Sequence, residues 1–320
     1  MKKSIVKFLF IILFIPVAFL LLGEVLYRTQ LFDFYASEFK YLNPQMGNTY
    51  DSTVLVIGDS YSTYPNGYVD QLRTKSPQVN YINAAIPGTG IRQHRLIIKK
   101  RLRDYQPNRL LYQFYIGNDF IDIKHPTNSN GLSWFRKFYW NVSERLLFVP
   151  YLNYKLAIFK AKKQSIEMLQ KGTYSPENYN NRVKLNFKGN PNYLAESLEL
   201  KGEAEKAYQV WKKNFEEILN ELPPKTRVSI LFVPHCAQVS LNYARRMAEL
   251  GANLNENALK LKSDYYMRIK EDFPRVDLID PQEYFQNVEQ SGRQLYFNND
   301  PHLNKLGQYV IAKYLYIRGL

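Results

Sequence analysis

Five stretches of nearly continuous apolar sequence, at 53–57, 79–83, 109–115, 228–234 and 276–279, leave this chain of 320 residues few folds to choose from. Several of them lack polar–apolar alternation, the pattern of strands covered on both faces, as in parallel sheets. Longer amphipathic stretches lie between them. The stretch 92–105 has helical periodicity, and in 203–222 the residues Ala207, Trp211, Phe215, Ile218 and Leu222 recur on one face before Pro223-Pro224 stops it. Such alternation of strand and helix predicts a doubly wound α/β domain with a parallel sheet. Its ligand site is expected beyond the carboxyl ends of the strands.

An apolar content of 45%, with 15% aromatic residues, suffices for one substantial core with appendages. The two ends of the chain differ in kind. Lys2, Lys3 and Lys7 precede an uncharged run, Phe8 to Leu22, and Gly23-Glu24-Val25-Leu26 offers no small-x-small cleavage site. This predicts an uncleaved signal-anchor over 1–28, slightly short of the roughly 20 apolar residues that a bilayer asks for. The leading lysines would keep it single-pass in a bacterial cytoplasmic membrane, with the rest extracytoplasmic. A juxtamembrane connector is expected over 29–50 and the catalytic domain over 51–320. Within that domain, about 125–201 breaks the strand–helix alternation with aromatic, Asn-rich and basic sequence, and reads as a mainly helical or irregular insertion. Its rings suit a cap over the site, a substrate platform or a membrane-facing patch, although packing of the insertion's own small core would use them equally well. Asn141-Val142-Ser143 matches the N-glycosylation pattern, too short a motif to carry weight.

The single cysteine, Cys236, excludes an intramolecular disulfide and reads as a small buried hydrophobe. A net charge of +14 points towards anionic lipid or acidic glycan. Nucleic acid is not expected as a partner: neither zinc-finger spacing nor an RNP-like aromatic motif is present.

The chemistry concentrates in four short blocks. Val54-Leu55-Val56-Ile57 runs into Gly58-Asp59-Ser60, which places a hydroxyl at a strand-to-loop edge. Asn83 to Gly88 follows the second run, Gly117-Asn118-Asp119 the third, and Asp300-Pro301-His302-Leu303-Asn304 stands near the C-terminus. A serine hydroxyl needs a base to take its proton, and the base needs a third group to fix its tautomer; Ser60, His302 and Asp300 can fill these roles. Candidate donors to a developing oxyanion are the Ser60 and Gly88 N–H groups and the Asn118 amide.

The order and content of these blocks resemble the SGNH/GDSL hydrolase superfamily, with Ser60, Gly88, Asn118 and His302 as the four name-giving residues. The resemblance covers about 51–121 and 226–315. It implies a flavodoxin-like three-layer α/β/α sandwich, no metal or organic cofactor, and ester chemistry through an acyl-enzyme. One departure stands out. The usual acid lies three residues before the histidine, where this chain has Asn299, and Asp300 is only two residues away. An Asp-x-His block also occurs in relatives that act on exopolysaccharides, which turns the expectation towards O-acyl, chiefly O-acetyl, groups of a cell-envelope glycan and towards envelope polysaccharide machinery as partner. Without Asp300, a Ser–His dyad oriented by a backbone carbonyl or by Asn299 would remain.

Other residues carry weaker readings. Asp59 reads as a hydrogen-bond acceptor for the loop or a substrate contact; Arg92, Gln93 and His235 are further possible contacts, with a satisfied strand-end histidine the blander account of His235. Asp119 reads as a cap, His94 and His125 as surface or loop residues, and Lys99, Lys100, Arg101 and Arg103 as a solvated helix face. The functional expectation is a serine esterase on an acylated glycan. The alternatives are an O-acyltransferase with the same triad, a lipase or lysophospholipase, and a catalytically silent glycan-binding or assembly protein.

Overall fold

The strand β1 (Ser52–Ile57) lies inside the sheet, with Val54 to Ile57 buried. The computed structural model describes residues 2–44, 50–161, 172–254 and 256–320, with side chains described from residue 14 onward apart from 158–161, 256 and 257. Beside β1 lie β2 (Val79–Asn83) and β3 (Arg109–Tyr115), followed outward by β4 (Arg227–Val233) and β5 (Asp277–Ile279). All four pairings are parallel, in the order β2-β1-β3-β4-β5. The α/β fold with a five-stranded parallel sheet is as the sequence predicts. The order is the flavodoxin-like one, in which the connections diverge at β1 and β3 and open a crevice above their carboxyl ends.

Helices α1 (Lys2–Thr29), α2 (Ala36–Leu42), α3 (Tyr68–Lys75) and α4 (Ile91–Asp104) belong to the first half of the chain. The insertion supplies α5 (Trp134–Ser143), α6 (Phe148–Ala161), α7 (Asn181–Gly189) and α8 (Tyr193–Glu199); its segment 162–171 lies outside the described residues. After it come α9 (Glu203–Glu221), α10 (Cys236–Val239), α11 (Leu241–Glu249), α12 (Asp264–Asp272), α13 (Gln282–Gln290) and α14 (Lys305–Ile317). Side chains alternate across a strand, and β3 shows how both faces are covered. Tyr112 and Phe114 point to α9, with Tyr112–Phe215 at 5.4 Å and Phe114–Trp211 at 5.6 Å between ring centroids. Gln113 and Tyr115 point the other way, towards Tyr61 and the approach to α3, with the Tyr61 and Tyr115 rings 4.2 Å apart. On that face Gln308 of α14 accepts from Tyr68 N at 3.0 Å.

The chain before β1 is docked against the domain. Tyr35 and Phe39 are buried, and Asn43 exchanges two hydrogen bonds of 2.8 Å with the backbone of Asn83. Asp33 pairs with Arg101, whose guanidinium lies 3.6 Å over the Phe39 ring. Arg101 is therefore buried, contrary to the solvated face expected for it, because α2 covers that side of α4. Its neighbours Lys99 and Lys100 do reach solvent, within range of Glu221 and Asp104.

Near the C-terminal end of α1, Gly23 lets the Phe148 ring of α6 approach the helix backbone more closely than any side chain would allow. Glu24 accepts from Phe148 N at 2.7 Å. The side chains of 1–13, half of the expected anchor, lie outside those described. Among the described residues no helix is long and apolar enough to cross a membrane, so the transmembrane expectation finds no support in the fold.

Candidate active site

Ser60 opens a single 3-10 turn at the carboxyl end of β1. The turn is set by its neighbours. Asp59 accepts from Tyr61 N at 3.0 Å, and Gln113 of β3 accepts from Asp59 N at 2.9 Å and from Ser62 Oγ at 3.2 Å. A Cβ on Gly58 would sit 2.4 Å from Gln113 Oε1, so only glycine lets the strand next door brace the loop.

From this turn Ser60 Oγ lies 2.7 Å from His302 Nε2, across 242 positions of sequence. His302 Nδ1 in turn meets Asp300 Oδ1. The two-residue spacing works because Asp300 and His302 sit on one strand, β7 (Asp300–Leu303), which pairs antiparallel with β6 (Tyr296–Phe297). Residues two apart on a strand point to the same face. The carboxylate also accepts His302 N–H at 2.8 Å, which locks the pair further. Asp300 Oδ2 is held by Asn180 Nδ2 at 2.7 Å. The imidazole stacks on the Tyr61 ring at 4.7 Å, and Tyr61 OH donates to Pro301 O at 2.8 Å. Loss of water contact opposes protonation of His302, but the Asp300 carboxylate, with Asp59 behind it, outweighs this and raises its pKa above 6.5. Burial likewise works against the Asp300 anion, and His302 with Asn180 holds its pKa below the usual value. So arranged, the ring has its proton on Nδ1 and a free Nε2 lone pair on the hydroxyl.

The three expected oxyanion donors differ in their partners. Ser60 N and Gly88 N donate to no group among the described residues, and Gly88 turns the loop with a φ of +70°. Asn118 follows β3; its Nδ2 donates one hydrogen to Asp59 Oδ2 at 2.8 Å, and its buried Oδ1 has no partner among the described residues. The carboxylate of Asp59 thus fixes which end of the amide is the nitrogen and leaves the second N–H for the site. Asp59 itself is 1% exposed and lies behind the pocket wall, with no surface for a substrate. Burial raises its pKa; in Asp119, buried beside it and accepting from Tyr115 N, burial and then Asp59 raise it well above the usual value.

Arg92 and Gln93 are not among the residues around Ser60. They line a separate cavity of about 480 Å³ between α4 and the insertion. Ser60, Asn118 and His302 line a smaller pocket of about 60 Å³, together with His235. His235 is buried and its Nδ1 accepts from Ala237 N at 3.1 Å, capping α10; burial lowers its pKa to about 3. His94 is not at the surface: it is buried between Tyr112 OH and Thr89 Oγ1, each 3.0 Å away, with a pKa lowered by burial to about 3. His125 stacks on Trp140 at 4.9 Å and borders the larger cavity. Asn299 does not orient His302; it faces the insertion, accepting from Ser175 N at 2.8 Å and donating to Thr173 O at 3.1 Å. Cys236 is buried.

Sequence reasoning missed Gln113, Tyr61, Asn180 and Arg182. The last two belong to one signal: Asn180 caps α7, accepting from Arg182 N at 2.8 Å, and an Asn before a helical stretch is a legible start. Arg182 lines both cavities and pairs with Asp122 through one nitrogen, at 2.5 and 2.6 Å.

No family model and no curated protein matches the sequence. Among solved structures the chain is similar to TesA, with 13% identity over 83% of this chain and 96% of that one and a TM-score of 0.41. It is similar to an acetyl xylan esterase, AlAXEase, at 13% identity, 84% and 100% coverage and a TM-score of 0.43. A catalytic mutant of the acetylxylan esterase Axe2 from Geobacillus stearothermophilus gives 13%, 84%, 94% and 0.40. These likenesses are distant. The four blocks noted above converge at the carboxyl ends of β1, β2 and β3 and on the β6–β7 hairpin.

Proposed function

We propose that the protein is a serine esterase that removes a short acyl group, acetyl foremost, from a hydroxyl of a cell-envelope glycan. The observation that carries this reading is the continuous line Ser60–His302–Asp300 at the edge of the 60 Å³ pocket. At about 10–15 Å³ per water-sized group, that pocket by itself holds a few heavy atoms, the size of an acetyl group. This favours the glycan ester over the lipase alternative, and the retained triad disfavours a silent binding protein.

In the reaction Ser60 Oγ attacks the acyl carbonyl while its proton passes to His302 Nε2, and Asp300 stabilises the imidazolium. The carbonyl oxygen, now an anion, accepts from Ser60 N–H, Gly88 N–H and the free Asn118 N–H. The C–O bond to the sugar breaks, and the sugar oxygen leaves with the proton held by His302. A water activated by the same ring then attacks the acyl-Ser60 ester and releases the carboxylic acid and free Ser60. A second sugar hydroxyl in place of water would complete an acyl transfer with the same groups.

Hydrolysis of p-nitrophenyl acetate, butyrate and octanoate tests the reading. Acetate should be turned over fastest, with activity falling about 10⁴-fold or more in Ser60→Ala and His302→Ala. Equal rates on octanoate, or turnover that survives Ser60→Ala, would contradict it.

We also propose that the N-terminal helix attaches the protein to a membrane, with the catalytic domain on the outer side. In support, Phe14, Val17, Leu21, Leu22 and Val25 of α1 are between 53 and 60% exposed. Retention of the full chain in membranes washed with alkaline carbonate is the expected result; complete release would rule attachment out.

A further inference from the structure

The larger cavity carries a charge pattern that the acyl chemistry does not use. Its volume of about 480 Å³ falls within the roughly 300–1,000 Å³ usual for ligand clefts. It shares Arg182 and Asn186 with the pocket of Ser60 and is bordered by the oxyanion-loop residue Gly88, so whatever fills it lies against the reacting ester. Three arginines reach its wall from three different elements. Arg92 on α4 donates Nη1 to a backbone oxygen, Glu144 O, at 2.7 Å, and makes no ion pair among the described residues. Arg136 on α5 lies 5.8 Å from the centroids of both the Tyr139 and Trp140 rings, and it too has no carboxylate partner among the described residues. Arg182 on α7 binds Asp122 through Nη2 alone, and its Nη1 lies 4.0 Å from the position of a Cβ on Gly88. Asp122 is the one carboxylate in the described lining. Three guanidinium groups against one carboxylate, at a half-enclosed surface, form a site short of negative charge.

The remaining wall combines apolar side chains, Ile91, Ile123, Leu147 and Leu185 among them, with polar and ring groups: Tyr139 and Tyr154, both half-buried, and Asn153 and Asn181. Ring faces beside hydrogen-bonding amides suit a sugar, and planar guanidinium groups suit an oxyanion held by two parallel hydrogen bonds.

We propose that this cavity is the carrier-sugar subsite and that it takes a saccharide bearing an oxyanion, with Arg92, Arg136 and Arg182 as its charge partners. The inference rests on the esterase reading and narrows its substrate to an acidic glycan. Carboxylate and phosphate substituents share the chemistry.

Isothermal titration of the full chain with three probes of matched length tests it: an oligogalacturonate, an oligomeric glycerol phosphate and a neutral xylo-oligosaccharide. An acidic probe should bind, the neutral one at least tenfold more weakly or not at all, and whichever acidic probe binds tighter assigns the substituent. Arg136→Gln, at an exposed position, and Arg92→Gln should each weaken the acidic probe about tenfold, as expected for a lost charge-assisted hydrogen bond, with thermal unfolding recorded to show that each variant is folded. Binding of acidic and neutral probes alike, no binding of any probe, or unchanged affinity in both folded variants would overturn the proposal. Turnover of p-nitrophenyl acetate by the unmodified chain, measured alongside, separates the two readings. If that turnover is present and depends on Ser60 while acidic preference is absent, the subsite fails and the esterase stands; its absence would count against the esterase, whatever the titrations show.

Discussion

At the scale of single residues, the proposed catalysis depends on how Asp300 holds His302. A base must be neutral to take the Ser60 proton, so kcat/KM is expected to fall as pH drops through a His302 pKa that lies above 6.5. The sign of that shift comes from the Asp300 carboxylate overcoming loss of solvent. In Asp300→Asn the attraction is gone and the desolvation remains. The acid limb of the pH–rate profile should therefore move to lower pH while the maximal rate falls about 10³–10⁴-fold, as when a triad carboxylate is replaced elsewhere. A limb that stays in place or moves upward would show that Asp300 does not set the ionisation of His302. Asp59 acts in another way. By accepting from both Tyr61 N and Asn118 Nδ2 it aligns the Ser60 turn with the amide proposed as the third oxyanion donor.

At the scale of elements, the aromatic face of α9 is what presses the helix onto the sheet. Phe215 is fully buried, stacked on Trp211 at 4.9 Å and edge-on to Tyr112 and to Phe273, the latter at 5.0 Å. Phe215→Ala should cost about 3–5 kcal/mol, read as a fall in the midpoint of denaturant unfolding; a loss well below about 1 kcal/mol would mean that the helix is not anchored there. That helix and all five strands of the sheet were legible because long apolar runs and helical periodicity are local signals. The strand β3 matches its expected bounds, and α9 ends where Pro223-Pro224 stops the pattern. The β6–β7 hairpin was not legible: β6 has two residues and β7 four, and Pro301 inside so short a stretch argues against a strand in sequence. Hence the Asp-x-His spacing looked like a departure in sequence, while on a strand it puts both groups on one face. His94 and Arg101 were misplaced for a related reason. Each lies on α4, and the Tyr112 hydroxyl and the α2 segment that bury them are contributed from far along the chain.

At the scale of the whole molecule, residues from the start, middle and end of the chain meet above the sheet because parallel topology collects every strand's carboxyl end on one edge. The insertion then closes one side of that edge. Through Asn180 it touches the Asp300 carboxylate, and through Arg182 it joins the catalytic pocket to the larger cavity. A segment that breaks the sequence pattern of the fold thus supplies both a brace for the triad and a wall for the ligand. The proposed chemistry turns on Ser60 being an activated nucleophile, and intact-mass analysis after exposure of the full chain to a fluorophosphonate reads this without assuming a substrate. One adduct per chain is predicted, mapped to Ser60 and absent from Ser60→Ala. An unmodified protein, or equal labelling of the Ser60→Ala variant, would contradict the esterase reading.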